Sequence, residues 1–134
     1  RLTPPKRKRR VFGVRAGGME RLDPLLVAGG GFLGATLRWA VGSIVAGAPG
    51  TLAVNVVGSL ALGVVVAAVP HRRTQVFVGT GLLSSFTTYS TFAVETVGLG
   101  VAWGATNVAA TYGFGVAAAA AGLVVGRRLA GERA

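Results

Sequence analysis

The sequence predicts an all-α integral membrane protein with four transmembrane helices, the third of them broken mid-membrane. Three observations carry that reading. The chain is 51% hydrophobic with a mean hydropathy of +0.61, and only 13% of its residues are charged, about half the share of a soluble domain. The charges are also confined. Lys and Arg lie between Arg1 and Arg21, at Arg72 and Arg73, and at Arg127, Arg128 and Arg133, with Arg38 alone inside an apolar stretch. Finally, the segment Gly79 to Glu95 (GTGLLSSFTTYSTFAVE) places six Ser/Thr hydroxyls and a tyrosine within the eight residues from Ser84 to Thr91. In hydrocarbon each unsatisfied polar group costs several kcal/mol, so these groups must face protein, water or an ion.

The same composition excludes several kinds of chemistry. The chain has no cysteine, so it has neither disulfides nor thiolate metal sites, and its single histidine, His71, sits beside two arginines. A His-ligated metal or an enzyme is therefore not expected. The isoelectric point near 11.9 invites a nucleic-acid reading, yet a basic tail beside hydrophobic spans is more economically a topology signal or a contact with anionic lipid headgroups. No nucleic-acid partner is expected. Residues 1–18 have neither periodicity nor the apolar core of a signal peptide. They are expected to be a basic N-terminal arm, disordered or untranslated, with the only methionine, Met19, as the functional start and residues 19–134 as the four-span membrane domain.

The first span is expected over about 25–45, with Asp23 as N-cap and Pro24 as first helical residue. Gly30, Gly34, Arg38 and Gly42 recur every four residues, giving one helix face of nearly bare backbone on which a neighbour can approach closely. Ala46 to Gly50 reads as a turn. The second span, about 51–69, is uncharged and long enough for roughly 30 Å of hydrocarbon. Its polar and small stripe of Thr51, Asn55, Ser59 and Gly63 should face the bundle. Pro70 ends it, and His71 to Arg73 form a charged loop.

The third span, about 76–97, contains the hydroxyl run. Seven of eight consecutive residues offer the backbone competing hydrogen bonds, so a break is expected at Ser84 to Thr88, where it lines a cavity or is buried in protein. Beyond it, Tyr89, Phe92 and Glu95 fall within an arc of about 120° on a helix, so two rings and a carboxylate should share one face. The fourth span, about 101–126, carries Trp103 near its start as an interfacial anchor and closes at Arg127 and Arg128. With four spans, thirteen of the fourteen Lys and Arg fall on one side. This predicts an N-in/C-in, multi-pass protein. Four short helices enclose an aqueous path only with help, so an oligomer is expected.

These motifs resemble the small bacterial fluoride channels of the Fluc (CrcB) family. The resemblance covers roughly residues 25–126 and rests on Gly30, Gly31, Gly34, Ala35 and Arg38, on GTLAVNVVGS (Gly50 to Ser59), and on TTYSTFAVE (Thr87 to Glu95). It implies a fluoride-selective channel in the bacterial inner (plasma) membrane that passively exports cytoplasmic fluoride, built as an antiparallel dimer with two pores at the interface. It implies a central structural sodium ion held by backbone carbonyls, here those of Ser84 and Thr87. Asn55 would be the pore-lining amide donor. Tyr89 and Phe92 would present ring edges, Ser90 and Thr91 hydroxyls, and Glu95 a carboxylate near one end of the pore. Arg38 matches the arginine at the end of the family's first span, in a structural or vestibule role.

Physical reasoning is consistent with these assignments. Fluoride is small and strongly hydrated, so a pore must replace its water with strong donors, with ring edges as weaker partners. A cation among carbonyls offsets their repulsion of an anion. Two departures from the family pattern stand out: Tyr89 takes a phenylalanine position, and Tyr112 is followed by Val116 (in another alignment, Phe114 by Ala118) where the family has a tyrosine and serine track. An antiparallel dimer of two identical chains needs both orientations, and the one-sided charge suits only one, so pairing with an oppositely oriented homologue as a heterodimer is expected beside the pairing with itself. Plainer roles stay open. Asn55 suits an interhelical hydrogen bond, Arg38 a snorkelling position, Tyr89 and Phe92 packing, and Glu95 a wet helix end. The rival functions are a small four-span proton-coupled exporter of cationic compounds and a non-transporting assembly factor.

Overall fold

A computed structural model describes residues 21–131; the expected basic arm and Met19 lie outside the described residues. The chain is all-helical there. It runs through α1 (Asp23–Ile44), α2 (Ala48–Ala68), α3 (Arg72–Thr74), a π-helical segment (Gln75–Leu83), α4 (Ser84–Phe86), α5 (Ser90–Gly98) and α6 (Gly100–Gly131). Among the described residues, α1, α2 and α6 are long and apolar enough to cross a membrane.

Glycine sets the helix pairing. On α1, Gly30 lies against the backbone at Phe77 and Gly81, and Gly34 against Leu82 and Phe86. A side chain at either position would collide with backbone, so the two elements can pack only because these residues are bare. The order of the contacts makes α1 parallel to the π segment and α4. The same device joins α2 to α6: Gly63 faces Ala119 and Gly122, and Gly126 faces Val64 and Ala67. Those two helices are parallel as well. Gly42, the last of the expected stripe, takes no part, because a Cβ placed on it would meet nothing within 4 Å.

This arrangement brings the start of α1, the end of α2, the start of α3 and the end of α6 to one end of the bundle. Five of the six arginines among the described residues (Arg21, Arg72, Arg73, Arg127 and Arg128) lie there, and Arg38 is the exception. Asp23 is part of this end. It is expected to cap α1, but Leu22 is the N-cap residue and no side chain caps the helix. The Asp23 carboxylate instead takes both Arg72 guanidinium nitrogens, at 2.8 and 2.6 Å. A bidentate pair satisfies a buried carboxylate better than one backbone N–H does. Arg72 consequently opens a helix and is not part of a free loop.

Two turn boundaries also differ from expectation. α2 begins at Ala48 with Pro49 in its first turn, where a missing N–H costs nothing, so the turn shrinks to 45–47. Its reversal uses Gly47 at φ 75, and Gly100 at φ 74, the first residue of α6, does the same after α5. α6 runs on to Gly131, beyond the expected end near Gly126.

The interior is small. Its apolar members are Val54, Leu83, Phe92 and Ala118, while Phe32, Trp39, Val101 and Trp103 are among many large side chains left exposed. That is the surface of a molecule whose solvent, or whose partner, is apolar.

Candidate functional site

The site is built around an interruption in the third segment. Helix geometry stops at Phe86 and resumes at Ser90, and Thr87 is extended with ψ 156. The expected interruption, Ser84 to Thr88, is therefore displaced: Ser84 to Phe86 are helical and the non-helical residues are 87–89. Upstream, the chain is wound as a π-helix, which the sequence does not predict. Ser84 fits that wider spacing, because its hydroxyl donates to the Gly79 carbonyl five residues back, at 3.2 Å.

Asn55 on α2 holds the interruption. Its Nδ2 donates to the Thr88 carbonyl at 3.0 Å, and its Oδ1 accepts the Thr88 N–H at 2.8 Å. One amide side chain thus replaces the helical partners of a whole peptide residue. In a continuous helix the Thr88 N–H would go to the Ser84 carbonyl. The Thr88 side chain completes the junction: its Oγ1 accepts the Thr91 N–H at 3.3 Å and donates to Thr91 Oγ1 at 3.0 Å, which caps α5 from one residue ahead of its N-cap position. Thr88 is buried.

Two cavities flank this junction, and Thr88 lines both. The first, of about 440 Å³, is walled by Asn55, Ser84, Thr87, Tyr89, Phe92, Thr111 and Tyr112. Its rings are mutually oriented. Phe92 meets Tyr112 edge-on at 6.1 Å and 87°, and Tyr89 lies 5.8 Å from Phe92 at 47°. The second, of about 350 Å³, is walled by Arg38, Trp39, Thr51, Thr91 and Glu95. The Oε2 of Glu95 is buried with no hydrogen-bond partner among the described residues.

The expected site residues are thereby divided. Asn55, Tyr89, Phe92, Ser84 and Thr87 come together on the first cavity; Thr91, Glu95 and Arg38 come together on the second. Ser90 is exposed and lines neither. The single face expected for Tyr89, Phe92 and Glu95 does not form one wall, because a helix arc that wide borders two cavities. Tyr112 and Thr111 on α6 are members of the first cavity that spacing does not single out. The resemblance to the family's tyrosine and serine track is the signal that points to Tyr112, one of three aromatic residues on α6. Thr88, expected only as part of the break, is the residue that Asn55 grips.

Fold and site together define a multi-pass helical membrane protein whose interrupted third segment borders a cavity of amide, hydroxyl and aromatic-edge groups. Residues 25–123 match the family described as CrcB-like protein, Camphor Resistance (CrcB), and the chain belongs to that family. It is 48% identical over 111 residues, 78% of this chain and 84% of the relative, to a protein of Halobacterium salinarum named fluoride-specific ion channel FluC 2. It is 47% identical over 110 residues, 78% of this chain and 83% of the relative, to fluoride-specific ion channel FluC 1 of Haloarcula marismortui. It is 38% identical over 122 residues, 80% of this chain and 98% of the relative, to fluoride-specific ion channel FluC of Allorhizobium ampelinum.

Proposed function

We propose that this chain is a subunit of a fluoride-selective channel that lets cytoplasmic fluoride leave the cell passively, and that it is not an enzyme. The observation that carries the reading is the reciprocal Asn55–Thr88 pair, which fixes an interrupted helix beside a cavity bordered by hydroxyls and by ring edges of Phe92 and Tyr112. The names of the relatives supply the ion. Asn55 has two amide hydrogens and spends one on Thr88, so the other is available to an anion. Strong donors of this kind can stand in for the hydration shell of fluoride, and edge-on rings present their positive rim to it.

In this reading Arg72–Gly98 also crosses the membrane, as the third of four spans, broken mid-membrane at 87–89, and the clustered arginines lie on the cytoplasmic side of the plasma membrane, N-in and C-in. Asn55, Tyr89, Phe92, Thr91, Ser90 and Glu95 lie along the anion's route, and Arg38 belongs to the wall of its outer reach. The active unit is an antiparallel dimer, formed with a second copy or with an oppositely oriented homologue. Ser84 and Thr87 would hold a structural sodium ion through their carbonyls. The Ser84 carbonyl suits that role because the N–H of Thr88 is engaged by Asn55. When bound, such an ion supplies positive charge that offsets the carbonyls' repulsion of an anion.

The test compares two gradients. Proteoliposomes containing the chain, alone or with a co-expressed homologue, are expected to release fluoride when potassium is made permeable, with no dependence on a proton gradient. Uptake of an organic cation driven by protons, with no fluoride release, would favour the exporter and overturn the proposal.

A further inference from the structure

The two ends of α6 mark two levels of a membrane. Trp103, 70% exposed, stands near its start, and Arg127 and Arg128, both exposed, stand near its end. About 24 residues of helix separate Trp103 from Arg127, roughly 36 Å at about 1.5 Å per residue. The hydrocarbon core takes up about 30 Å of that length, and each headgroup layer adds about 5–7 Å. With the Trp103 ring at one interface, where such rings anchor, Arg127 and Arg128 come to lie within the headgroup layer of the opposite leaflet and not beyond it in water.

Two other parts of the chain bring charge to the same place. Gly126 packs on Val64 and Ala67, which puts the end of α2 beside Arg127. Arg72 follows shortly after α2, and its bidentate pair with Asp23 draws in the start of α1, with Arg21 beside it. Asp23 is the one acid at this end among the described residues, and Arg72 takes it. Arg21, Arg127 and Arg128 are exposed and make no ion pair among the described residues. All five clustered cations are arginines, with no lysine among them. A topology signal is read from Lys and Arg alike, whereas the guanidinium fork matches the two free oxygens of a phosphate diester. We propose that this cluster is a binding site for the headgroups of anionic phospholipids, with Arg21, Arg127 and Arg128 as the groups that take the phosphate. Their aliphatic stems lie along the acyl boundary while the charged ends reach the headgroup. A nucleic acid, which stays in water, does not suit arginines at that depth. The inference stands apart from the channel reading.

The experiment uses native mass spectrometry of the full chain in detergent, with phosphatidylglycerol or phosphatidylcholine added, and compares wild type, R127Q/R128Q and R21Q, each first checked for elution as a single species. The basic residues ahead of Met19 are the same in all three, so they contribute equally. Wild type is expected to retain phosphatidylglycerol severalfold better than phosphatidylcholine. R127Q/R128Q should lower phosphatidylglycerol retention by about tenfold or more and R21Q by a smaller factor, with phosphatidylcholine unchanged throughout. Should R127Q/R128Q not elute as a single species, R128Q alone carries the same comparison. Equal retention of the two lipids by wild type, equal phosphatidylglycerol retention in wild type and R127Q/R128Q, or an unchanged R21Q overturns the proposal. Displacement of phosphatidylglycerol by an equal concentration of inorganic phosphate would assign the arginines to a soluble anion, and preferential binding of a DNA duplex would assign them to nucleic acid; either result also overturns it.

Discussion

Asn55 and Thr88, 33 residues apart, are joined by two hydrogen bonds that run in opposite directions between one side-chain amide and one backbone residue. The pair ties α2 to the point at which the third segment stops being helical. It makes the interruption a built feature of the fold, because the N–H and C=O of Thr88, which have no helical partners there, are both taken up.

N55D separates the two bonds. A carboxylate can still accept the Thr88 N–H, but it has no proton for the Thr88 carbonyl and brings a negative charge to the cavity. The variant is expected to lose about 1–3 kcal/mol of stability and all measurable fluoride flux. Thermal unfolding followed by tryptophan fluorescence, with efflux on the same preparation, checks both; a variant that conducts like wild type would show that the amide is only packing.

The rings of the first cavity should differ in importance. Phe92 is 6% exposed and touches both other rings, whereas Tyr89 is 72% exposed. F92A should destabilise the protein by about 3–5 kcal/mol. Y89F, which removes only a hydroxyl from an exposed position, should keep stability within about 0.5 kcal/mol and retain fluoride conduction. Loss of conduction in Y89F would instead assign the Tyr89 hydroxyl to the ion's path.

Gly122 and Gly113 lie on the same helix and make opposite predictions. A Cβ at Gly122 would collide with the Leu60 carbonyl, while one at Gly113 meets nothing within 4 Å. G122A should push α2 and α6 apart and lower the melting temperature or broaden the elution profile. G113A should be neutral, or stabilising by up to about 1 kcal/mol from helix propensity. Equal behaviour of the two would mean that the α2–α6 contact does not govern the fold.

Asp23 and Arg72 lend themselves to a double-mutant cycle. Asp23 is 5% exposed and receives both guanidinium nitrogens, so D23N and R72M each remove a charge-assisted contact that joins α1 to α3. The cycle should give a coupling of about 1–3 kcal/mol, less the screening that the half-exposed Arg72 feels. Strict additivity in D23N/R72M would place the pair among surface contacts that contribute nothing.

Much of this protein is legible in its sequence, and the reasons differ by element. The spans of α1, α2 and α6 follow from long apolar runs, that of α1 interrupted by Arg38 alone, and the glycine spacing on α1 marks the face that meets the π segment. The hydroxyl run marks where helix geometry is contested. The position of the interruption is not readable locally, because Asn55 decides it from 33 residues away. Asp23 misleads for the same reason: local chemistry favours a cap, but an arginine 49 residues later provides the better partner. The π-helical turns have no periodic signature of their own, and the separation of Glu95 from Phe92 depends on which neighbours fill the space on each side of α5.

The central claim is tested most directly by fluoride-electrode recording of efflux from proteoliposomes that contain this chain, with and without a co-reconstituted homologue, and with chloride as the competing anion. Prompt fluoride release on addition of a potassium ionophore, without comparable loss of chloride and without a proton gradient, is the predicted result. No release in either preparation, or release of chloride at the same rate, would contradict it.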